Sequence, residues 1–249
     1  MHRDAAIPVG YDDSILAAVA TAALEFVSEG SCIGLGSGRA AAAFIARLGI
    51  RVRQGLHVSG VPASEMSARL AREAGVPLIE LTEHVELDLM VDGADEVTPD
   101  LDLIKGRGGA LVRERIIAAA SRRQVILVGN EKLVSALGGR HPIPVEIIPF
   151  AAESGIRQMK AIGLVPAVRM DASQSHPWIS ENGNLTIDCS VREPIADGTA
   201  ARSLEAALLA IAGVVDTGLF LGTAERVLVG YPDQRVNTLT RRGESYADA

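Results

Sequence analysis

Short apolar segments alternate with longer amphipathic segments over residues 14–137, and this alternation limits the possible folds more than any other feature of the sequence. Short apolar runs bounded by glycine or polar residues are typical of buried strands, and apolar positions that recur every three or four residues are typical of helices. Strands that are buried between helices predict a parallel sheet covered on both faces. We therefore predict an α/β fold, with a Rossmann-like, mostly parallel sheet and helices on both of its faces.

The predicted elements of this domain follow one another with short connections. Strands are predicted at Cys32–Leu35, Leu56–Val58, Leu78–Ile79, Leu87–Val91 and Gln124–Val128. Helices are predicted from the caps Asp12 and Asp13 to Ser28, and at Arg39–Leu48, Pro62–Ala74 and Ala110–Ala120. Pro62 suits a first helical position, and Gly75 suits the residue that follows a helix.

A different order of elements begins near His141. The predicted elements are a strand at Val145–Ile148, a helix at Ala151–Ile162, strands at Val165–Met170 and Leu185–Ser190, a helix at Ser203–Ile211 and a strand at Val214–Leu221. This βαββαβ order is typical of a small ferredoxin-like α+β module. We predict that residues 141–213 form a lid or oligomerisation domain. Residues 1–140 and 214–249 would form the Rossmann-like catalytic domain, to which a strand at Arg226–Gly230 returns.

Composition and charge exclude several classes of protein. The net charge of −7, with three Tyr, four Phe and one Trp, argues against nucleic acid as the main partner. No apolar stretch reaches the roughly 18 to 20 residues of a membrane span, and Asp12, Asp13 and Glu25 interrupt the region where a signal peptide would lie. Cys32 and Cys189 are far apart, so no disulfide is implied. These features predict a cytoplasmic protein without a membrane partner.

Polar residues directly follow several predicted strands. They are Gly36–Arg39, Ser59, Asp92–Asp95 and Gly129–Lys132. In parallel sheets, ligands bind beyond the carboxyl ends of the strands. These segments are therefore expected to meet at one edge of the sheet, although they are distant in sequence.

The run Asp92–Glu96 is followed by Lys105, in a glycine-rich turn that ends at Gly109, and by Glu114 near the start of a helix. Several carboxylates, one ammonium group and flexible backbone suit proton transfer next to a carbonyl, with a cation to hold the developing charge. Each residue also has a simpler interpretation. The acidic run can be an ordinary turn, the lysine can be solvated, and Glu114 can complement the dipole of its helix.

The turn Gly34–Arg39 joins a strand to a helix, and amide groups at a helix N-terminus attract phosphate. The alternative is a tight turn that needs glycine only for its shape. Gly36, Gly38 and Ala41 also fit a loose dinucleotide-binding pattern, which would indicate a nucleotide-dependent oxidoreductase. That pattern requires an acidic residue at the end of the second strand, and Leu56–Gly60 contains none. Lys132 is a second candidate for phosphate binding.

No metal site is predicted. The histidines do not have the spacing of zinc ligands, and no phosphate loop of the GxxxxGK[ST] type occurs. Ser37 is not in a nucleophile elbow, because Leu35 stands where that motif has glycine.

Together these motifs resemble ribose-5-phosphate isomerase of the A type over nearly the whole chain. The residues that carry the resemblance are Gly34–Ala41, Val91–Glu96, Ile104–Ala110, Arg113, Glu114, Lys132, Pro144–Pro149 and Gly213–Val215. The resemblance implies an enzyme that interconverts ribose 5-phosphate and ribulose 5-phosphate without a metal or a cofactor. It also implies a homo-oligomer, either a dimer or a tetramer.

The resemblance further implies a role for each candidate residue. Glu114 would move a proton between C1 and C2 through an enediolate, and Asp92 would assist ring opening and handle a hydroxyl proton. Lys105 would stabilise the enediolate oxygen, with Asp95 as a supporting ligand. The residues implied for substrate and phosphate binding are Ser37, Gly38, Arg39, Ala40, Gly93, Ala94, Gly106, Arg107, Gly108 and Lys132.

Three segments depart from the family pattern, and one of them is the serine-rich segment of the family, which is thinned here to Ser59–Ser64. The phosphate turn usually reads Gly-Thr-Gly-Ser-Thr, whereas here Ser37, Arg39 and Ala40 replace its hydroxyl residues. The usual Lys-Gly-Gly-Gly turn carries Arg107 as its third residue. Arg39 could hold the phosphate, or it could point away and leave the backbone amides to do so. An alternative function is therefore a sugar-phosphate sensor that has the same fold and little turnover.

Overall fold

The computed structural model describes residues 12–241. Its helices are α1 (Asp12–Ala23), α2 (Gly38–Arg53), α3 (Glu65–Ala74), α4 (Leu111–Ala120), α5 (Ala152–Ala161) and α6 (Gly198–Leu209). Its strands are β1 (Cys32–Leu35), β2 (Ser59–Pro62), β3 (Leu89–Gly93), β4 (Glu96–Val97), β5 (Leu103–Ile104), β6 (Gln124–Gly129), β7 (Ile143–Ile147), β8 (Val165–Val168), β9 (Leu185–Ser190), β10 (Val214–Thr217), β11 (Leu219–Phe220), β12 (Arg226–Gly230) and β13 (Val236–Thr240).

The largest sheet has six strands in the order β13-β12-β6-β3-β1-β2. All neighbouring strands are parallel except β12 and β13, which are antiparallel. Because β1, β3 and β6 lie side by side and run in the same direction, their carboxyl ends meet at one edge. The predicted mostly parallel α/β sheet is confirmed.

Consecutive side chains of β6 pack into separate cores on opposite faces of this sheet. Val125 and Leu127 pack with α1, α2 and α3, whereas Ile126 and Val128 pack with β5 and α4. All four side chains are almost fully buried. Side chains of successive strand residues point to opposite faces of a sheet. Because other elements cover both faces at β6, every residue of this strand can be apolar.

The second sheet has four strands in the order β10-β7-β9-β8, and every neighbouring pair is antiparallel. With α5 and α6 it forms the predicted βαββαβ module. A core that includes Ile147, Met159, Ile187 and Leu208 fills the space between the sheet and the helices. A third sheet, β11-β5-β4, joins the segment after β10 to the segment after β3.

The predicted strand Val214–Leu221 was wrong as a single element. Its first part, β10, pairs with β7, and its second part, β11, pairs with β5. Gly218 lies at the break, where its amide donates to Pro144 O and its carbonyl accepts from Lys105 N. The chain therefore pairs with strands of the second sheet as far as residue 217. The proposed domain boundary at residue 213 stays a prediction.

Other predicted boundaries were also wrong. The strand expected at Leu56–Val58 lies instead at β2, three residues later. Pro62 is the last residue of this edge strand, a position where proline is tolerated. Helix α3 starts later than Pro62 because the Ser64 side chain accepts from Ser67 N and caps it. Leu78 forms only an isolated bridge to Gly60, in place of the strand expected at Leu78–Ile79.

The ends of the chain differ from expectation as well. Helix α1 ends at Ala23 and continues as a short 3-10 turn at Leu24–Phe26, not as a helix to Ser28. Strand β13 was not predicted, because its exposed edge position does not require an apolar pattern. The side chains of the predicted caps Asp12 and Asp13 lie outside the described part of the structure. Within residues 12–241, no helix is both long and apolar enough to cross a bilayer.

Candidate active site

A cavity of about 500 Å³ opens at the edge where β1, β3 and β6 end. Its wall contains every predicted site residue except Asp92: Ser37, Gly38, Arg39, Ala40, Gly93, Ala94, Asp95, Lys105, Gly106, Arg107, Gly108, Glu114 and Lys132. Leu16, Leu127, Val128, Gly129 and Glu131 complete it. The volume suits a small-molecule ligand. The predicted convergence is therefore present for Gly36–Arg39, Asp92–Asp95 and Gly129–Lys132. It was wrong for Ser59, which is the first residue of β2 and does not line the cavity.

Three buried charged groups form the floor of this cavity. The Lys105 ammonium lies 2.8 Å from Asp92 Oδ2 and 3.0 Å from Glu114 Oε2. It also donates to the carbonyl of Gly93 at 2.7 Å. The side chains of Lys105, Asp92 and Glu114 are 3%, 0% and 5% exposed. A buried cation between two carboxylates has a fixed position, whereas a solvated lysine at the surface is free to move.

Asp92 lies beneath the cavity and is fixed by the backbone. Its Oδ1 atom accepts from Ser37 N at 3.1 Å and from Gly93 N at 2.7 Å. Gly36 makes this approach possible, because a Cβ atom at that position would lie 2.2 Å from Asp92 Cγ. The glycine after β1 is therefore required by the carboxylate at the end of β3.

Burial and charge shift the pKa values of the other two groups. Desolvation, together with the charge of Asp92, raises the pKa of Glu114 to about 7, although Lys105 opposes the shift. Burial disfavours the charge of Lys105, but the Asp92 and Glu114 carboxylates outweigh burial and raise its pKa above its ordinary value. At neutral pH the site therefore holds a permanent cation beside a carboxyl group that exchanges its proton readily.

The turn that carries Lys105 is held against Asp95. The amide of Arg107 donates to Asp95 Oδ2 at 3.1 Å. Gly106 and Gly109 adopt φ angles of +100° and +84°, which favour glycine. A Cβ atom at Gly109 would also lie 2.0 Å from the Trp178 ring. The glycines of this turn are thus required by backbone shape and by close packing.

The turn at the start of α2 forms another part of the cavity wall. The Ser37 hydroxyl lies 3.1 Å from that of Ser64 and does not cap α2. Ser64 contacts Ser67, whose hydroxyl donates to the carbonyl of Gly36. Because the first N–H groups of a helix lack intrahelical acceptors, the start of α2 offers donors to an anion. Lys132, which is half-buried, adds a positive charge on the cavity wall.

The sequence did not identify several residues that support the site. The Phe220 ring lies 5.3 Å from Lys105 Nζ and 4.2 Å from the Arg115 guanidinium carbon. Arg169 and Trp178, from the second sheet and its loop, contact the turn at Gly106–Gly109. These residues follow no motif near the catalytic candidates, so only their spatial contacts reveal them. Among residues 12–241, no group of three His, Cys, Asp or Glu side chains is placed to hold a metal ion.

Comparisons with known proteins agree with this geometry. The family model described as ribose 5-phosphate isomerase A (phosphoriboisomerase A) matches residues 59–234. Ribose-5-phosphate isomerase A of Roseiflexus castenholzii is 46% identical over 213 residues, which are 85% of this chain and 89% of that protein.

Solved structures agree over most of the chain. Ribose 5-phosphate isomerase A from Methanocaldococcus jannaschii is 38% identical, with a TM-score of 0.85 and coverage of 92% of this chain and 99% of that one. A D-ribose-5-phosphate isomerase in complex with phospho-erythronic acid is 36% identical, with a TM-score of 0.87 and the same two coverages. With the residues of the cavity, these matches show that the chain belongs to the ribose 5-phosphate isomerase A family.

Proposed function

We propose that this protein interconverts D-ribose 5-phosphate and D-ribulose 5-phosphate through an enediolate. The observation that carries the proposal is the buried Lys105 ammonium between Asp92 and Glu114, in a cavity whose wall includes the start of α2 and Lys132 as donors for a phosphate. A solved relative in complex with phospho-erythronic acid supports binding of a sugar phosphate at such a site.

Glu114 is the proposed base. In the open-chain aldose, its carboxylate takes the proton from C2, and the C2 electrons form the enediolate with the C1 carbonyl. The protonated Glu114 then returns the proton to C1. The proton of the C2 hydroxyl moves to O1, so C1 becomes a hydroxymethyl group and C2 a carbonyl. A pKa of about 7 leaves Glu114 able to both accept and donate near neutrality.

Lys105 is the proposed stabiliser of the enediolate oxygens, since its raised pKa keeps it charged. Asp92 anchors Lys105, assists ring opening and handles the hydroxyl proton. Asp95 supports the substrate beside the Lys105 turn. The Ser37–Ala40 turn and Lys132 hold the phosphate, which keeps C1 and C2 in register with Glu114.

The direct test is an assay of the purified protein with ribose 5-phosphate in the presence of a chelator, following ribulose 5-phosphate. Turnover is expected, and it should be much slower with hexose phosphates. Binding of ribose 5-phosphate without turnover would favour the sugar-phosphate sensor. Absence of both binding and turnover would refute a sugar-phosphate site altogether.

We further propose that the module at residues 141–213 mediates a homodimer or homotetramer. Its support is a set of exposed apolar side chains, including Phe150, Val165 and Ile148, which are 100%, 53% and 48% exposed. Light scattering after size exclusion should give twice or four times the mass of the chain. Phe150→Ser should lower that mass, and a monomeric wild-type protein would contradict the proposal.

A further inference from the structure

Arg169 reaches from the second sheet to the turn that carries Lys105. Its Nη1 atom donates to the carbonyl of Gly106 at 2.9 Å and to that of Arg107 at 3.1 Å. Its Nε atom donates to Asp188 Oδ2 at 3.0 Å, and its side chain is only 14% exposed. One mostly buried guanidinium therefore connects Asp188 of β9 to the backbone of the turn that carries the buried Lys105 ammonium.

These two contacts determine where the amides of the turn point. In a trans peptide group the C=O and N–H bonds point in opposite directions. The Gly106 carbonyl faces Arg169, and the amide of the same peptide group, Arg107 N–H, donates to Asp95 Oδ2 at 3.1 Å. The Arg107 carbonyl also faces Arg169, so the Gly108 N–H points away from Arg169.

Gly108 lines the cavity, and within residues 12–241 its N–H donates to no protein acceptor. An amide donor on a cavity wall, in a peptide group whose carbonyl is fixed by another contact, suits an oxygen of a bound ligand. The Trp178 ring also packs closely against the turn, because it leaves no space for a side chain at Gly109. The guanidinium of Arg169 lies 5.8 Å from the centroid of that ring.

We propose that Arg169 is a positioning residue, which holds the Gly106 and Arg107 carbonyls so that the Gly108 amide donates to an oxygen of the substrate. This role rests on the proposed function, because the oxygen belongs to the sugar phosphate. Asp188 keeps the guanidinium in place through its ion pair with Arg169. Residues outside the Rossmann-like sheet thus control a donor beside the reacting carbons.

The test compares Arg169→Met with the matched control Arg157→Met, which removes an exposed arginine of α5. Hydrogen exchange measured by mass spectrometry needs no activity. Arg169→Met should increase deuterium uptake in peptides that cover residues 103–111 and leave peptides over residues 124–129 unchanged. Increased uptake in both segments would indicate general destabilisation and would overturn the proposal, as would unchanged uptake at residues 103–111.

Kinetics provide the second measurement. Arg169→Met should lower kcat for ribose 5-phosphate by about 10- to 100-fold, with KM changed less than about threefold, because a misplaced donor mainly affects the transition state. Arg169→Lys should recover only part of the loss, since an ammonium lacks the planar fork of a guanidinium. An unchanged kcat would overturn the role. A wild-type protein without turnover would refute the proposed function, and the exchange comparison would still decide whether Arg169 holds the turn.

Discussion

The Nζ atom of Lys105 lies 3.0 Å from Oε2 of Glu114, and both side chains are buried. The ammonium donates a hydrogen bond to the carbonyl of Gly93 and forms ion pairs with the Asp92 and Glu114 carboxylates. A substrate oxygen that binds Lys105 is expected to compete with these partners for the buried ammonium. Replacement of Glu114 would free its carboxylate at the place where the base is needed, so ligand binding and activation of the base are linked through one ion pair.

Glu114→Gln should strongly slow exchange of the C2 proton of ribose 5-phosphate with solvent, because an amide cannot accept that proton. A loss of about 10²- to 10⁴-fold is expected. The affinity for phospho-erythronic acid, measured by calorimetry, should change little. Glu153→Gln, at an exposed position of α5, serves as the control. Exchange that persists in Glu114→Gln would remove this residue from the role of base.

The pH dependence of kcat/KM should follow the ionisation of Glu114. Its carboxylate is the active form, so the rate should rise with pH and level off above an apparent pKa of about 7. Lys105 stays protonated because its pKa is raised, so it should cause no decline on the alkaline side up to about pH 9. Initial rates between pH 5 and pH 9 test this. A flat profile through neutrality would contradict the assignment.

Ionisation of Glu114 should make the protein less stable as pH rises, whereas a carboxylate whose pKa is lowered by folding makes a protein more stable as pH rises. Because folding raises its pKa from 4.5 to about 7, the folded state binds the proton more tightly, and stability is lost as pH rises through that window. Glu114→Gln removes this cost. As pH rises from 5 to 8, the free energy of unfolding of the Glu114→Gln variant should increase by about 3 kcal/mol relative to that of the wild type. Urea unfolding at both pH values measures the gain, and an equal difference at both would exclude a raised pKa.

Gly36→Ala should impair the site through Asp92. The added Cβ would lie 2.2 Å from Asp92 Cγ, so the Asp92 carboxylate cannot keep its present position beside this turn. We expect kcat to fall about 100-fold and the free energy of unfolding to fall by about 1–3 kcal/mol. Gly139→Ala is the matched control, since its nearest contact would be an ordinary 3.5 Å. Wild-type kinetics in Gly36→Ala would show that the position of Asp92 is unimportant.

Lys132→Gln should weaken binding of the phosphate and affect the chemical step less. Removing one charged donor from a phosphate is expected to raise KM for ribose 5-phosphate by about 10- to 100-fold. Lys160→Gln, at an exposed position of α5, should leave KM unchanged. If KM is unaffected in Lys132→Gln, the phosphate lies elsewhere in the cavity.

Local patterns in the sequence determined the class of fold and the edge at which the site forms. Parallel strands such as β1, β3 and β6 carry the residues that follow them to a common edge, so Ser37, Asp92 and Gly129 converge without any knowledge of the coordinates. The position of β2 was predicted three residues too early, because register depends on pairing with β1, and that pairing is not a local property.

Only the tertiary structure decided which of these residues are buried and what supports them. The sequence places Glu114 on a helix, but its raised pKa arises from burial beside Asp92, which belongs to a different strand. Arg169 and Phe220 contact the Lys105 turn from remote segments and match no motif near it. Hydrophobic periodicity is encoded by neighbours along the chain, whereas desolvation and close contact depend on elements that meet only after folding.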